Sequence, residues 1–223
     1  MLRGQTAAKK GEVVLLLFQA TARGRDRGLI GERPEAAIDA TGLESRHTSQ
    51  YFFKRAGRKQ SAHAWTKLTA VCDTASHLFT AATVTLGPAN DSPQFRPAVT
   101  QAALGVDWDR LLADAAFDSE ENHRLAREDL GVRSTVIPLN RRNRGRKQPK
   151  TRYRRQMVRR FRRKRRGSRH RRVYGQRWQV ESAFSRHKRL LGSALRGRSD
   201  QSRERECYLR ALTHNIMLLA ATG

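Results

Sequence analysis

The sequence predicts an α/β fold, and three patterns along the chain lead to this prediction. A short apolar strand runs through 36–42, and a β-hairpin follows at 65–86. A strand, a helix and a second strand then occupy 110–139, which is the order of a β-α-β unit with a parallel strand pair. Helical patterns at 174–188 and 204–221 complete the alternation of strands and helices that is typical of this class.

The first strand carries an acid close to its end. Residues 1–34 contain a short apolar run, Val13–Ala20, which fits a small buried helix, and a link rich in glycine and arginine, Arg23–Arg33. The strand Ala36–Gly42 comes next and is expected to turn at Gly42. This places Asp39 at the end of a strand, where side chains of a sheet reach solvent.

The hairpin and the segment after it have clear turn signals. Strands are expected at 65–72 and 78–86, because both segments alternate or are rich in β-branched residues, with a tight turn at Asp73–Ser76. The proline- and glycine-containing stretch 87–93 is expected to be a loop, and Phe95–Leu104 a short helix.

The β-α-β unit supplies a second acid at a strand end. Its first strand is expected at Arg110–Asp114, and Asp118 has the spacing of a helix cap. The helix should run to Leu130 and stop at Gly131, before a strand at 133–139. Asp114 therefore lies at a carboxyl end of a strand, where open α/β sheets place their sites.

The segment 140–172 is dominated by arginine and contains no acid. It carries 18 arginine and lysine residues between Arg141 and Arg171, and one more at Arg172. This composition predicts a segment that is disordered or that folds only on a polyanion. The whole chain has a formal net charge of +26, which favours a polyanionic partner, either nucleic acid or an anionic membrane surface. Nucleic acid is preferred, because the arginine-rich segment has few apolar residues at helical spacing. The longest apolar run near the start is too short to span a bilayer, so a soluble, cytoplasmic protein is expected.

The helix predicted at 174–188 combines an apolar edge with a line of charge. On a helical wheel, Tyr174, Arg177, Glu181 and Lys188 fall within roughly 60° of one another. For the neighbouring Trp178, packing in the core or as a wedge between helix and sheet is favoured over stacking on a displaced base. The final helix, at 204–221, should pack through Tyr208, Leu212, Ile216 and Leu219.

The chemistry is expected to reside in Asp39, Asp114 and Glu181. Each acid alone is better explained as a turn residue, a cap or an ion-pair partner. Three carboxylates brought together, however, are what hard divalent cations need, since Mg²⁺ takes oxygen ligands. Two such ions roughly 4 Å apart support in-line phosphoryl displacement.

These residues resemble a family of bacterial insertion-sequence transposases in the DDE superfamily. Tyr174, Arg177, Glu181 and Lys188 fit its signature Y-x₂-R-x₃-E-x₆-K. The segment 38–42 resembles the family's first-aspartate block, and 113–118 resembles the second, usually G-D-x-x-[FY]-D, with Ala113 where glycine is common. The resemblance covers roughly 35–220.

The resemblance implies an RNase H-like fold, a mixed sheet flanked by helices with a long arginine-rich insertion before the catalytic helix. It implies that Asp39, Asp114 and Glu181 bind two Mg²⁺ or Mn²⁺ ions. It further implies that Tyr174, Arg177 and Lys188 contact DNA phosphates near the cleaved end. The implied activity is cleavage at transposon ends and transfer of the 3′ hydroxyl into target DNA, by a protein that is expected to act as a homodimer on DNA in the bacterial nucleoid.

The implied domain organisation is a short N-terminal segment, 1–34, and a catalytic domain, 35–223, that includes the basic insertion 140–172. Family members usually carry roughly a hundred residues before the first aspartate. The short N-terminal segment therefore motivates two expectations: an N-terminal truncation, and, as the alternative function, a catalytically inactive, basic DNA-binding remnant.

Overall fold

A mixed sheet forms the centre of the protein. The computed structural model describes residues 2–45, 65–87, 89–140, 148–162 and 169–222. The strands are β1 (Glu35–Ser45), β2 (Thr66–Asp73), β3 (Phe79–Leu86), β4 (Arg110–Ala113), β5 (Ser134–Val136) and β6 (Ala194–Leu195). The order across the sheet is β3-β2-β1-β4-β5, with β6 beside the end of β1.

The sheet is antiparallel on one side of β1 and parallel on the other. β1 pairs with β2 and β2 with β3 in antiparallel registers, which confirms the predicted hairpin. β4 is parallel to both β1 and β5, which confirms the β-α-β unit. The mixed sheet with flanking helices is consistent with the expected RNase H-like fold.

Helices cover both faces of the sheet. They are α1 (Leu2–Asp26), α2 (Ser92–Ala103), α3 (Glu120–Arg124, continued by a π-helical turn Leu125–Asp129), α4 (Arg152–Arg162), α5 (Arg169–Gly175), α6 (Trp178–Leu191) and α7 (Asp200–Ala221). α2 and α3 pack in the core cluster that contains Ile38 and Leu111. α6 and most of the buried face of α7 pack in the cluster that contains Ala37 and Leu112. Among the described residues, no helix is long and apolar enough to cross a membrane.

The first strand is longer than predicted. β1 does not turn at Gly42 but continues to Ser45, because its second half pairs with β2 and then with β6. Its pairing with β4, by contrast, ends at Ile38. Asp39 is therefore the first residue beyond the parallel pairing, although it lies in the middle of the strand.

The two terminal helices also differ from the predictions. α1 spans 2–26, so it extends well beyond 13–20 and includes part of the predicted link. It packs on α7 and β3 through Leu17 and Ala20, whereas Phe18 is partly exposed. In α7, Tyr208 is buried as expected, but Ile216 is 52% exposed, which is contrary to the predicted packing face.

The prediction that the basic segment is disordered is wrong for residues 152–162, which form α4. The helix has an apolar inner face, since Tyr153 and Met157 are buried. The carboxylate of Glu120 accepts hydrogen bonds from the backbone N–H groups of Tyr153 (2.9 Å) and Arg154 (3.0 Å). Acids of α3 therefore stabilise a helix whose own sequence contains none. Residues 141–147 and 163–168 of the predicted insertion lie outside the described part.

Candidate active site

Asp39 faces the same side of the sheet as α6. Side chains alternate along a strand, so Asp39 shares a face with Ala37 and Leu43, and both of these pack with α6 residues in one core cluster. The carboxylate is 19% exposed, and its Oδ1 accepts a hydrogen bond from the N–H of Ala40 at 2.9 Å. The strand therefore fixes this acid at the edge of the core.

Asp114 directly follows the parallel neighbour of β1. β4 ends at Ala113, and Asp114 begins a 3₁₀ turn, Ala115–Phe117. Its Oδ1 accepts a hydrogen bond from the N–H of Ala116 at 2.7 Å. The position at a strand's carboxyl end agrees with the sequence prediction.

The helix that carries the four-residue signature is interrupted. α5 ends at Gly175, and α6 begins at Trp178, so the prediction of one continuous helix is wrong. Between them the N–H of Arg177 bonds to the carbonyl of Tyr174, a tighter spacing than the α-helix has. Gly175 is a poor helix former and accounts for the break. Arg177 consequently lies in the turn, and Glu181 in the first turn of α6.

Arg177 links two of the three predicted acids. Its Nη1 lies 3.5 Å from Oδ2 of Asp39, and its Nη2 donates to Oε1 of Glu181. Asp39 and Glu181 also face a common cavity of about 390 Å³. That cavity is lined by Asp39, Ala40, Thr41, Glu181, Phe184, Ser185 and Lys188.

Burial raises the pKa of the Asp39 carboxyl to about 6. The hydrogen bond from Ala40 and the charge of Arg177 oppose this shift, while the charges of Asp114 and Glu181 add to it. Keeping this carboxylate ionised at neutral pH costs about 3 kcal/mol of folding free energy. A group held at this cost is typical of a functional site.

The same electrostatic influences connect Asp114 and Tyr174 to the site. Burial raises the pKa of the Tyr174 phenol; Arg177 lowers it, and Asp114 and Glu181 raise it. The phenol ring packs edge-on against the ring of Phe161 in α4, with 5.3 Å between the ring centroids. Asp114 therefore lies within electrostatic reach of Asp39 and Tyr174, although it does not line the cavity.

The three acids do not form a ready-made metal cluster. Among the described residues, no three His, Cys, Asp or Glu side chains lie together closely enough to hold a metal ion. Arg177 instead supplies the positive charge that Asp39 and Glu181 share. The donor set nevertheless suits a hard divalent cation, because it consists of carboxylate oxygens. A cation would also compensate the charge of Asp39, whose pKa is raised by partial burial.

Asp118 does not cap α3, contrary to the prediction. The cap of α3 is Ser119, whose hydroxyl accepts from the N–H of Asn122 at 3.0 Å. The fully buried carboxylate of Asp118 instead accepts hydrogen bonds from Nε (2.9 Å) and Nη2 (2.6 Å) of Arg154. The N–H of Asn140 donates to the same carboxylate at 2.8 Å. No local signal predicts this pair, because the arginine lies 36 residues away in a segment without any acid.

Trp178 is 56% exposed, which contradicts the predicted core position. It lies at the first position of α6, next to Arg177. The alternative that the sequence left open, stacking on a base, requires this exposure.

A comparison with protein families agrees with these observations. The family model described as "Transposase DDE domain" matches residues 30–216, which is most of the chain. No curated protein matches the chain. The match begins before β1 and ends within α7, so it includes all three acids and the signature. The chain therefore belongs to the transposase DDE domain family.

Proposed function

We propose that this protein cleaves DNA at transposon ends and transfers the freed 3′ hydroxyl into target DNA, with Asp39, Asp114 and Glu181 as its catalytic carboxylates. The observation that carries the proposal is the cavity in which Asp39 and Glu181 meet beside Lys188. A half-buried acid, an exposed acid and a cation around one cavity suit a phosphodiester whose charge must be neutralised as it reacts.

Transposases of this family generally use divalent metal ions, and we propose Mg²⁺ or Mn²⁺ here. Asp39, Asp114 and Glu181 would hold two such ions, which supply the charge that activates a water or hydroxyl and stabilises the leaving oxygen. Asp39 and Asp114 are each held by a backbone N–H, from Ala40 and from Ala116. Glu181 is 52% exposed and is the donor with the most freedom to adjust.

We propose that Arg177, Lys188 and Tyr174 hold the DNA backbone. Arg177 now bridges Asp39 and Glu181, and its planar guanidinium is suited to exchange a carboxylate for a phosphate. Lys188 lies seven residues, or almost two turns of α6, beyond Glu181 and lines the same cavity. Tyr174 is half-buried against Phe161, which fixes its ring close to Arg177. Membership of the transposase family implies DNA as the partner. We also propose that the protein acts as a homodimer on DNA.

The test is nicking of a plasmid that bears the element's ends, with Mg²⁺, with Mn²⁺ and with a chelator. We expect cut ends only when a divalent ion is present. Binding to the plasmid without cutting at any metal concentration would favour the alternative, a catalytically inactive DNA-binding remnant.

The rate of nicking should fall by about tenfold per pH unit below about pH 6 when the metal is limiting. Asp39 is protonated below its raised pKa of about 6, and a protonated carboxyl does not bind the cation. Arg177 lowers this pKa, so Arg177→Ala should move the fall to higher pH. The measurement is the initial nicking rate between pH 5 and pH 8.

The matched control is Lys188→Gln, which removes a cation from the same cavity without removing a partner of Asp39. Lys188→Gln should lower the nicking rate without changing the pH at which the rate begins to fall. If the rate begins to fall at the same pH in Arg177→Ala, then protonation of Asp39 is not the cause of the fall.

A further inference from the structure

The outer face of α4 carries a second cavity lined by cations, separate from the one that contains Asp39 and Glu181. Its volume is about 420 Å³. The lining residues are Lys150, Arg152, Arg155, Gln156 and Arg159. On a helical wheel the four that belong to α4 fall within roughly 100°, so they form one face of the helix.

The inner face of the same helix is fixed by the rest of the protein. Arg154 is paired with Asp118, and Arg160 donates to the hydroxyl of Ser134 at 3.1 Å. Tyr153 is buried, and its hydroxyl donates to Glu128 at 2.8 Å. The outer cations are thereby presented on a helix that is already docked on α3 and β5.

The outer cations are poorly neutralised. In the part of the chain that the structure describes, Lys150, Arg155 and Arg159 form no ion pair. Arg152 has one long contact, 3.9 Å, to Glu128. Four like charges around one cavity repel one another unless an anion lies between them. The side chains of Arg155 and Arg159 are exposed and free to meet such an anion.

The cations form a row along the helix. Arg152 and Arg159 are seven residues apart, which is about 10.5 Å along a helix. A row of this length presents several positive charges to a chain of phosphates. The C-terminal end of α4 also reaches the active site, because Phe161 contacts Tyr174.

We propose that this cavity binds backbone phosphates of duplex DNA, as a second contact independent of the catalytic cavity. The proposal rests on the proposed function only for the choice of DNA as the polyanion. Because its cations approach phosphates and no base edges, it adds affinity without sequence preference. It would hold DNA that extends away from the reacting phosphodiester.

The test is the salt dependence of binding by the full chain with Arg155→Gln and Arg159→Gln combined. A fluorescent 30-base-pair duplex without the element's ends is titrated by anisotropy in chelator, between 50 and 300 mM NaCl. The slope of log affinity against log salt should fall in magnitude by about 1.8, since each lost phosphate contact contributes about 0.9. The matched control combines Arg23→Gln and Arg205→Gln, two exposed arginines on α1 and α7 that remove the same charge.

The control should change the slope by less than half as much as the cavity variant. Equal changes in the two variants, or none in the cavity variant, would overturn the proposal, because general charge would then explain the binding. Since no metal is present and no strand is cut, this result is independent of whether the protein proves to be a nuclease. Thermal melting of both variants checks that the exposed substitutions leave the fold intact.

Discussion

Replacing Glu181 by glutamine should reduce nicking by about a thousandfold or more while leaving DNA binding intact. Glutamine keeps the size of the side chain and an oxygen that can accept from Arg177, so the cavity should keep its shape. It removes the negative charge that a divalent cation needs. A loss of about 4 kcal/mol of transition-state stabilisation corresponds to a factor of a thousand in rate.

DNA binding should be unchanged or slightly tighter in this variant, because a negative charge that repels the phosphates is removed from the cavity. The matched control is Glu121→Gln, the same substitution at a glutamate that is 77% exposed and pairs with Arg96 outside the cavity. It should nick like the unmodified protein. If Glu181→Gln cuts at a comparable rate, then Glu181 is not the third carboxylate, and the catalytic reading of the signature helix is wrong.

The parts of the fold that sequence reasoning predicts well are those with local signals. The turn at Asp73–Ser76 and the stop at Gly131 each depend on a few adjacent residues, and both agree with the structure. The parallel pairing of β4 and β5 follows from the short helix between them. The family resemblance implied that Asp39 and Glu181 share a site, and alternation along β1 explains how, because it places Asp39 on the face covered by α6.

The parts that it predicts poorly depend on contacts between distant segments. β1 runs past Gly42 only because β2 and β6 pair with it there. Arg177 is presented to Asp39 by a break after Gly175, whereas a helical wheel treats the segment as one regular helix. α4 folds because two acids more than 30 residues earlier bind it. Glu120 accepts hydrogen bonds from its N-terminal N–H groups, and Asp118 pairs with Arg154. The composition of the segment shows that it is rich in arginine, but it does not show which acids bind it.

The ion pair between Asp118 and Arg154 leads to the second prediction with a large effect. Asp118→Ala should destabilise α4 by about 3–5 kcal/mol, because it leaves the buried guanidinium of Arg154 without a counter-charge. The side chain of Asp118 is fully buried and that of Arg154 is 9% exposed, so water cannot replace the lost carboxylate. The N–H of Asn140 loses its acceptor in the same change. Amide hydrogen exchange at 152–162 should accelerate by about a hundredfold or more.

Two variants separate the effect of the unpaired charge from that of a smaller side chain. Asp118→Ala combined with Arg154→Met should recover most of the protection, because it removes both charges and methionine keeps most of the volume of the Arg154 side chain. Glu121→Ala breaks the exposed pair with Arg96 and should cost at most about 1 kcal/mol. If Asp118→Ala exchanges no faster than Glu121→Ala, the buried pair does not hold α4 in place. If exchange accelerates as expected, the salt dependence of DNA binding should weaken in parallel, since the outer arginines of α4 lose the scaffold that presents them to the phosphates.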